Sequence, residues 1–285
     1  MITERDIVRN IRKIEMGYRK TTHHFYQGNF KSVFNGSGML FKELREYSPG
    51  DDPRFIDWNV TARMQKTYYK VFEEERSLNF YILVDTSSSS LFGSSAIKRN
   101  VMMQVGADLA FSILRNRDKV SLTLFNHTIE KHIPPRNTPS HLDLLIRTLT
   151  DRQLSGGKTC IAKLLSFVNN IVLKRSVIII LSDFWDSDYQ KELGQLASRH
   201  YVIGIQITDP LENRFPPAGL VQLKNPESGI SRLVNTSSRS FQKNYTKQLV
   251  EMNRYLSDSF TRTGSQLLQI NSNEDYLPKI QALFQ

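Results

Sequence analysis

The chain has 285 residues, 39% hydrophobic and 23% charged, with a formal net charge of +10. That length and balance suit one or two folded domains and exclude a disordered chain. A single cysteine, Cys160, excludes an internal disulfide and fits a reducing compartment.

The positive charge raises nucleic acid as a partner, because basic surfaces bind phosphate by releasing counterions. Lys and Arg are scattered, however, and no block of five like charges occurs. The distribution suits attraction to an acidic protein partner better than a nucleic-acid patch. The first residues, Met1 to Asp6, carry both signs of charge and lead into no apolar core, so no secretory signal is expected. The apolar run Val177 to Leu181 is far too short to span a bilayer. The expectation is a cytoplasmic protein without membrane insertion.

Taken in chain order, residues 3–27 predict a helix, with Ile7, Ile11 and Ile14 recurring at helical spacing. Ser48-Pro49-Gly50-Asp51-Asp52-Pro53 is dense in turn formers. Two β-like runs, Arg54 to Ala62 and Thr67 to Glu75, complete a small β-rich subdomain, which sets a first domain at 1–76. In this subdomain Arg45, Arg54 and Asp57 suggest a charged network reaching the following domain, and Trp58 suggests a packing anchor. From 77 to 285 strands and helices alternate. Apolar runs at 79–85, 119–125, 176–182 and 201–207 read as buried strands. Ile97, Val101, Val105, Leu109 and Ile113 recur every fourth residue and predict a helix over 96–116. An edge strand is expected within Asn126 to Pro135, because Pro134 and Pro135 cannot donate to a central ladder. Helices are expected at 139–150, 160–172, 189–199, 239–262 and 274–284, and a last strand at 266–270. This alternation predicts an α/β fold with a doubly wound, mostly parallel sheet.

The chemistry concentrates at Asp85-Thr86-Ser87-Ser88-Ser89, at the mouth of the 79–85 strand. A carboxylate followed at +2 and +4 by hydroxyls offers oxygen donors of the kind Mg²⁺ accepts. One carboxylate and two neutral hydroxyls under-neutralise such an ion, which would still attract an acidic group from outside. Each residue also has a plainer use. Ser87 and Ser89 could cap the next helix, Thr159 could be an N-cap, and Asp183 could be an ordinary strand-end acid.

In order along the chain, Asp85, Ser87, Ser89, Thr159 and Asp183 resemble the metal-ion-dependent adhesion site of von Willebrand factor A domains. The resemblance implies hydroxyl donors at Ser87, Ser89 and Thr159, with Asp85 and Asp183 acting directly or through water. It implies Mg²⁺, with Mn²⁺ or Ca²⁺ as alternatives, and a remaining position for a partner's Asp or Glu. The stretch from Glu46-Tyr47 through Gly50-Asp51-Asp52, Arg54 and Ile56-Asp57-Trp58 resembles the signature of the bacterial family catalogued as domain of unknown function fifty-eight. Phe72 to Arg76 and Asp209-Pro-Leu-Glu212 are similar to later landmarks of that family. Its members are similar to partners of MoxR-type AAA+ ATPases, with chaperone-like roles in assembly or maturation. This implies a non-enzymatic adaptor. The chain departs from the family's Gly-Gly-Thr-Asp by Lys158 before Thr159 and Cys160 after it.

Two other chemistries compete with this reading. A Mg²⁺-dependent phosphatase or hydrolase is the alternative, but the +2 position holds Ser87 where a haloacid dehalogenase type carries its general acid. Gly157-Lys158-Thr159 mimics the end of a P-loop, yet Arg152 stands where the first glycine belongs. The histidines lack ligand spacing and are assigned to no metal.

Overall fold

The computed structural model describes residues 39–74, 78–93, 97–151, 157–213, 216–224 and 231–283. The helix expected over 3–27 lies outside them. The described residues fall into two compact units, one within Tyr26–Ser77 and one running on from Leu78.

In the small unit, β1 (Met39–Glu46) pairs antiparallel with β2 (Tyr68–Glu74). Between them the chain makes a 3-10 turn and then α1 (Trp58–Met64), not the β-like run expected over Arg54 to Ala62. Capping overrides local β-propensity here. Asp52 accepts the Arg54 N–H with Pro53 at the first helical position, and Asp57 accepts the N–H groups of Asn59 and Val60. Gly50 supplies a backbone with φ +109°, and the adjacent Asp51 accepts from the Ser48 N–H at 2.9 Å and from Arg45 at 2.6 Å. The family signature is therefore largely a set of turn and cap chemistries. The anticipated Arg45–Arg54–Asp57 network is instead three separate pairs inside the unit: Arg45 with Asp51, Arg54 with Asp52, and Asp57 with Lys70. Trp58 is 67% exposed, so it is not a packing anchor.

The larger unit begins with β3 (Asn79–Asp85), then α2 (Lys98–Arg115), β4 (Lys119–Phe125) and β5 (Ile129–Arg136). Next come α3 (Pro139–Leu149), α4 (Ile161–Ile171), β6 (Val177–Ser182), α5 (Gln190–Ala197) and β7 (Tyr201–Thr208). A short α6 (Pro210–Asn213) and a hairpin of β8 (Leu220–Lys224) and β9 (Ser231–Asn235) follow, then α7 (Arg239–Arg262), β10 (Gln266–Asn271) and α8 (Leu277–Leu283). The six-stranded sheet has the order β10-β7-β6-β3-β4-β5, parallel throughout except for β5 at its edge. The chain starts the sheet at β3, adds β4 and β5 on one side, then returns to add β6, β7 and β10 on the other. Its direction of winding reverses between β3 and β6, and doubly wound sheets bind ligands outside the carboxyl ends at that reversal.

Every residue of β6 is buried, as a strand covered on both faces requires. On α2, Val101, Val105, Leu109 and Ile113 are buried, whereas Ile97 precedes the helix and is 40% exposed. A Cβ at Gly106 would lie within 3.4–3.8 Å of Leu181, Val84 and Ile82, so α2 rests closely on the β3–β6 seam. On the other side, Tyr189, Leu193, Leu196, Leu256 and Phe260 join one cluster with the sheet. No helix among the described residues is long and apolar enough to cross a membrane.

One buried acid on α2 has a measurable signature. Asp108 accepts a 2.5 Å hydrogen bond from the Tyr276 hydroxyl, while its Oδ1 has no partner. Burial pushes its pKa up to about 7 despite the opposing tyrosine bond. The carboxyl holds its proton to higher pH in the folded chain than in the unfolded one. Its stabilising effect is complete below about pH 4 and is lost as pH climbs through about 7. Asp108→Asn is expected to change the melting midpoint more favourably at pH 8 than at pH 5, by a difference of about 3 °C or more. Calorimetry of both proteins at the two pH values checks this, and an equal shift at both would contradict it.

Candidate functional site

Asp85 closes β3 at the reversal point and has no exposed surface. The Ser87 N–H donates to its Oδ1 at 2.8 Å, and the Ser182 hydroxyl at the end of β6 donates to its Oδ2 at 2.6 Å. Burial pushes the Asp85 pKa upward, and the neighbouring Asp183 charge adds to the rise. This is the pattern of a carboxylate short of positive charge.

The hydroxyls after Asp85 are not helix caps. Ser87 precedes a 3-10 turn over Ser88–Leu91, but its side chain makes no capping bond. Its Oγ lies 3.0 Å from the Oγ of Ser89 instead. Arg99, buried on α2, fixes the loop from behind. It donates to the carbonyls of Thr86 and Ser87, the latter at 3.0 Å, and to Ser90 Oγ at 3.1 Å.

The loop carrying Thr159 is tied to this one. The Gly157 N–H donates to Ser88 Oγ at 2.8 Å, and Ser88 N–H donates to the Gly157 carbonyl at 2.9 Å. Gly157 has φ +153°, and a Cβ there would lie 2.9 Å from the His127 ring, so glycine suits both the backbone and the close approach to His127. The inserted Lys158 is exposed, and Thr159 is buried. The N-cap of α4 is Cys160, not Thr159. The Thr159 Oγ1 is buried without a hydrogen-bond partner, which is uncommon for a buried hydroxyl.

Asp183 follows β6 and is 4% exposed. Its Oδ1 accepts from the Trp185 N–H at 3.2 Å and its Oδ2 from Lys98 Nζ at 2.7 Å. Lys98, 1% exposed at the start of α2, also donates to Glu212 Oε1 on α6 at 2.6 Å. Burial works to lower the lysine pKa, but the carboxylates of Asp183 and Glu212 outweigh it and the net direction is up. Phe184 holds a left-handed backbone at φ +54°, with its N–H on Ser182 Oγ at 2.9 Å.

Asp85, Ser87, Ser89 and Asp183 thus gather at one end of the β3–β6 seam, and Gly157 ties the Thr159 loop to them. Sequence reasoning missed Lys98, Glu212, Ser182 and Arg99. Glu212 had a signal, since it closes the Asp209-Pro-Leu-Glu212 landmark; a lone lysine at a helix start had none.

The described residues contain no cluster of three or more His, Cys, Asp or Glu side chains suited to a metal. Hydroxyls would have to supply most of the donors, and their spacing suits a small hard cation. Ser87 Oγ and Ser89 Oγ share a 3.0 Å hydrogen bond, a separation close to the ~2.9 Å between adjacent oxygens of an octahedral Mg²⁺ with bonds of ~2.0–2.1 Å, so a cation would need to replace that bond without moving either oxygen far. The orphaned Thr159 hydroxyl and the charge-poor Asp85 are the other features such an ion would satisfy.

A doubly wound sheet with one antiparallel edge and an Asp-x-Ser-x-Ser loop at its reversal point defines a von Willebrand factor A-like domain. The chain belongs to the family described as Protein of unknown function DUF58, whose model matches residues 43–254. It is similar to the uncharacterized protein Rv1480 of Mycobacterium tuberculosis, 24% identical over 95% of this chain and 86% of that one. Among solved structures it is similar to the conserved hypothetical protein BatB from Bacteroides thetaiotaomicron, with TM-score 0.49 and 12% identity over 73% of this chain and 95% of that one. It is also similar to the SpRpn10 VWA domain, with TM-score 0.40 and 9% identity over 72% of this chain and 94% of that one.

Because the Thr159 hydroxyl has no partner to lose, Thr159→Val should leave the metal-free melting midpoint within about 1 °C of wild type or raise it. The same change should weaken Mn²⁺ binding about tenfold or more. Thermal melts in chelator and a Mn²⁺ titration check the two halves. A clear loss of stability with unchanged Mn²⁺ affinity would make Thr159 a structural hydroxyl.

Proposed function

We propose that this chain is a non-enzymatic, metal-dependent protein-interaction module of the cytoplasm. Mg²⁺, or Mn²⁺ or Ca²⁺ in its place, would be held by Asp85, Ser87, Ser89, Thr159 and Asp183. When bound, the cation supplies a positive centre for a carboxylate of a protein partner. The observation carrying this reading is the donor arrangement itself: a buried, under-neutralised Asp85 beside the Ser87–Ser89 hydroxyl pair, with the Thr159 hydroxyl buried and unpartnered on the adjoining loop.

The chain's own residues each have a part. Arg99 holds the loop backbone so that the Ser87 and Ser89 hydroxyls stay together. Ser182 fixes one oxygen of Asp85 and the Ser87 N–H fixes the other. Each carboxylate oxygen keeps a further lone pair for the cation or its water. The partner class rests on family resemblance: a MoxR-type AAA+ ATPase, with the chain acting as adaptor or co-chaperone in the assembly or maturation of a client. The net charge of +10 favours an acidic partner surface.

The alternative is a Mg²⁺-dependent phosphatase or hydrolase. Ser87 at the +2 position argues against it, because a serine hydroxyl does not serve as a general acid near neutral pH.

Asp85→Ala decides between these readings. In chelator the variant should stay folded, because removal of a buried charge that lacks a cation offsets part of what the lost Ser87 and Ser182 hydrogen bonds cost. It should lose Mg²⁺-dependent capture of the co-expressed MoxR-type ATPase. Capture that is the same in chelator and in the variant would refute the adaptor reading. Turnover of phosphate esters lost in the variant would install the hydrolase.

A further inference from the structure

Lys98 is unusual on physical grounds alone. A lysine ammonium is among the groups least often fully buried, and it loses several kcal/mol of hydration on entering a protein interior. Here it is 1% exposed and spans two carboxylates from different loops: Asp183 after β6 at 2.7 Å and Glu212 on α6, after β7, at 2.6 Å. The helix beneath it is locked to the sheet by close packing at Gly106. The ammonium is therefore carried on an element packed closely against the sheet.

Its position matters because Asp183 is one of the two carboxylates assigned to the cation. With Lys98 in place, Asp183 Oδ2 already faces a positive charge. Glu212 balances that charge from the other side, and its remaining oxygen accepts from the Asp209 N–H at 3.0 Å, so it too is held in place.

We infer that Lys98 is a built-in competitor of the divalent cation. It occupies the inner face of Asp183 and sets the metal affinity of the site, while Glu212 tunes how strongly its charge is felt. The role is that of an affinity-determining residue, not a ligand, and it rests on the metal-site reading given above. Like charges repel with an energy that falls only slowly with distance in a low-dielectric interior. Removing the ammonium should tighten divalent binding, and removing its counter-carboxylate should loosen it. A residue that merely supported the fold would weaken binding in both cases.

The experiment is a Mn²⁺ titration followed by the electron paramagnetic resonance signal of the free ion, with the full chain as wild type, Lys98→Met, Glu212→Gln, the double variant and Asp85→Ala. Lys98→Met should bind Mn²⁺ about tenfold or more tighter than wild type, and Glu212→Gln about threefold or more weaker. If Lys98→Met alone does not fold, the comparison moves to the Glu212→Gln background, where adding Lys98→Met should again tighten binding. Changes of the same sign for Lys98→Met and Glu212→Gln, or no change on removing the lysine, would overturn this inference while Asp85-dependent binding in the wild type keeps the site. Binding that is absent in every protein, or equal in wild type and Asp85→Ala, would overturn the site and this inference together.

Discussion

Asp85 needs positive partners and the protein gives it very few, and the upper end of the sheet is organised around that shortage. The carboxylate sits where the winding reverses, so helices leave on opposite faces and the loops above it part. Into that gap the chain brings neutral donors: a backbone N–H from Ser87 and a hydroxyl from Ser182. The positive charges nearby make their hydrogen bonds elsewhere: Arg99, close enough for its charge to act on Asp85, donates to loop carbonyls, and Lys98 to Asp183 and Glu212. A fold that wanted only stability would have placed an apolar residue at this position, since a buried charge without a counter-ion is a net cost.

The backbone around the site carries strain that the core absorbs. Phe184 takes a left-handed conformation that a bulky side chain disfavours by ~1–2 kcal/mol, immediately after Asp183. Its ring is fully buried and meets Phe260 of α7 edge-on, with centroids 5.5 Å apart. Phe260 in turn occupies the space over Gly204 of β7, where a Cβ would come within 2.5 Å of the ring. The backbone beside Asp183 is held by packing that reaches β7 and α7.

Much of the larger unit was legible in the sequence because parallel strands covered on both faces read as continuous apolar runs. Strands such as Val177–Ser182 and helices such as Arg239–Arg262 fall within a residue or so of where periodicity puts them. The helix Trp58–Met64 was not legible, because Ile56 and Val60 favour strands and only the caps Asp52 and Asp57 reverse that preference. The β8–β9 hairpin escaped for a different reason: Leu220 and Leu233 are largely exposed, so its apolar residues do not mark a core-facing side. At the site, the strand-end acids and the serines announced themselves by spacing. Lys98 did not, because burial of a lysine is decided by which loops fold over it, and those loops come from far along the chain.

The proline pair in β5 closes one route of association. A parallel sheet open at its margin is a template for a further strand from another molecule, and that template depends on free amide hydrogens. Pro134 and Pro135 have none to offer, and being adjacent they remove one donor from each side of the strand that flanks β4, its outer side included. Another copy of the chain therefore finds poor purchase along this flank, which disfavours strand addition at the β5 edge.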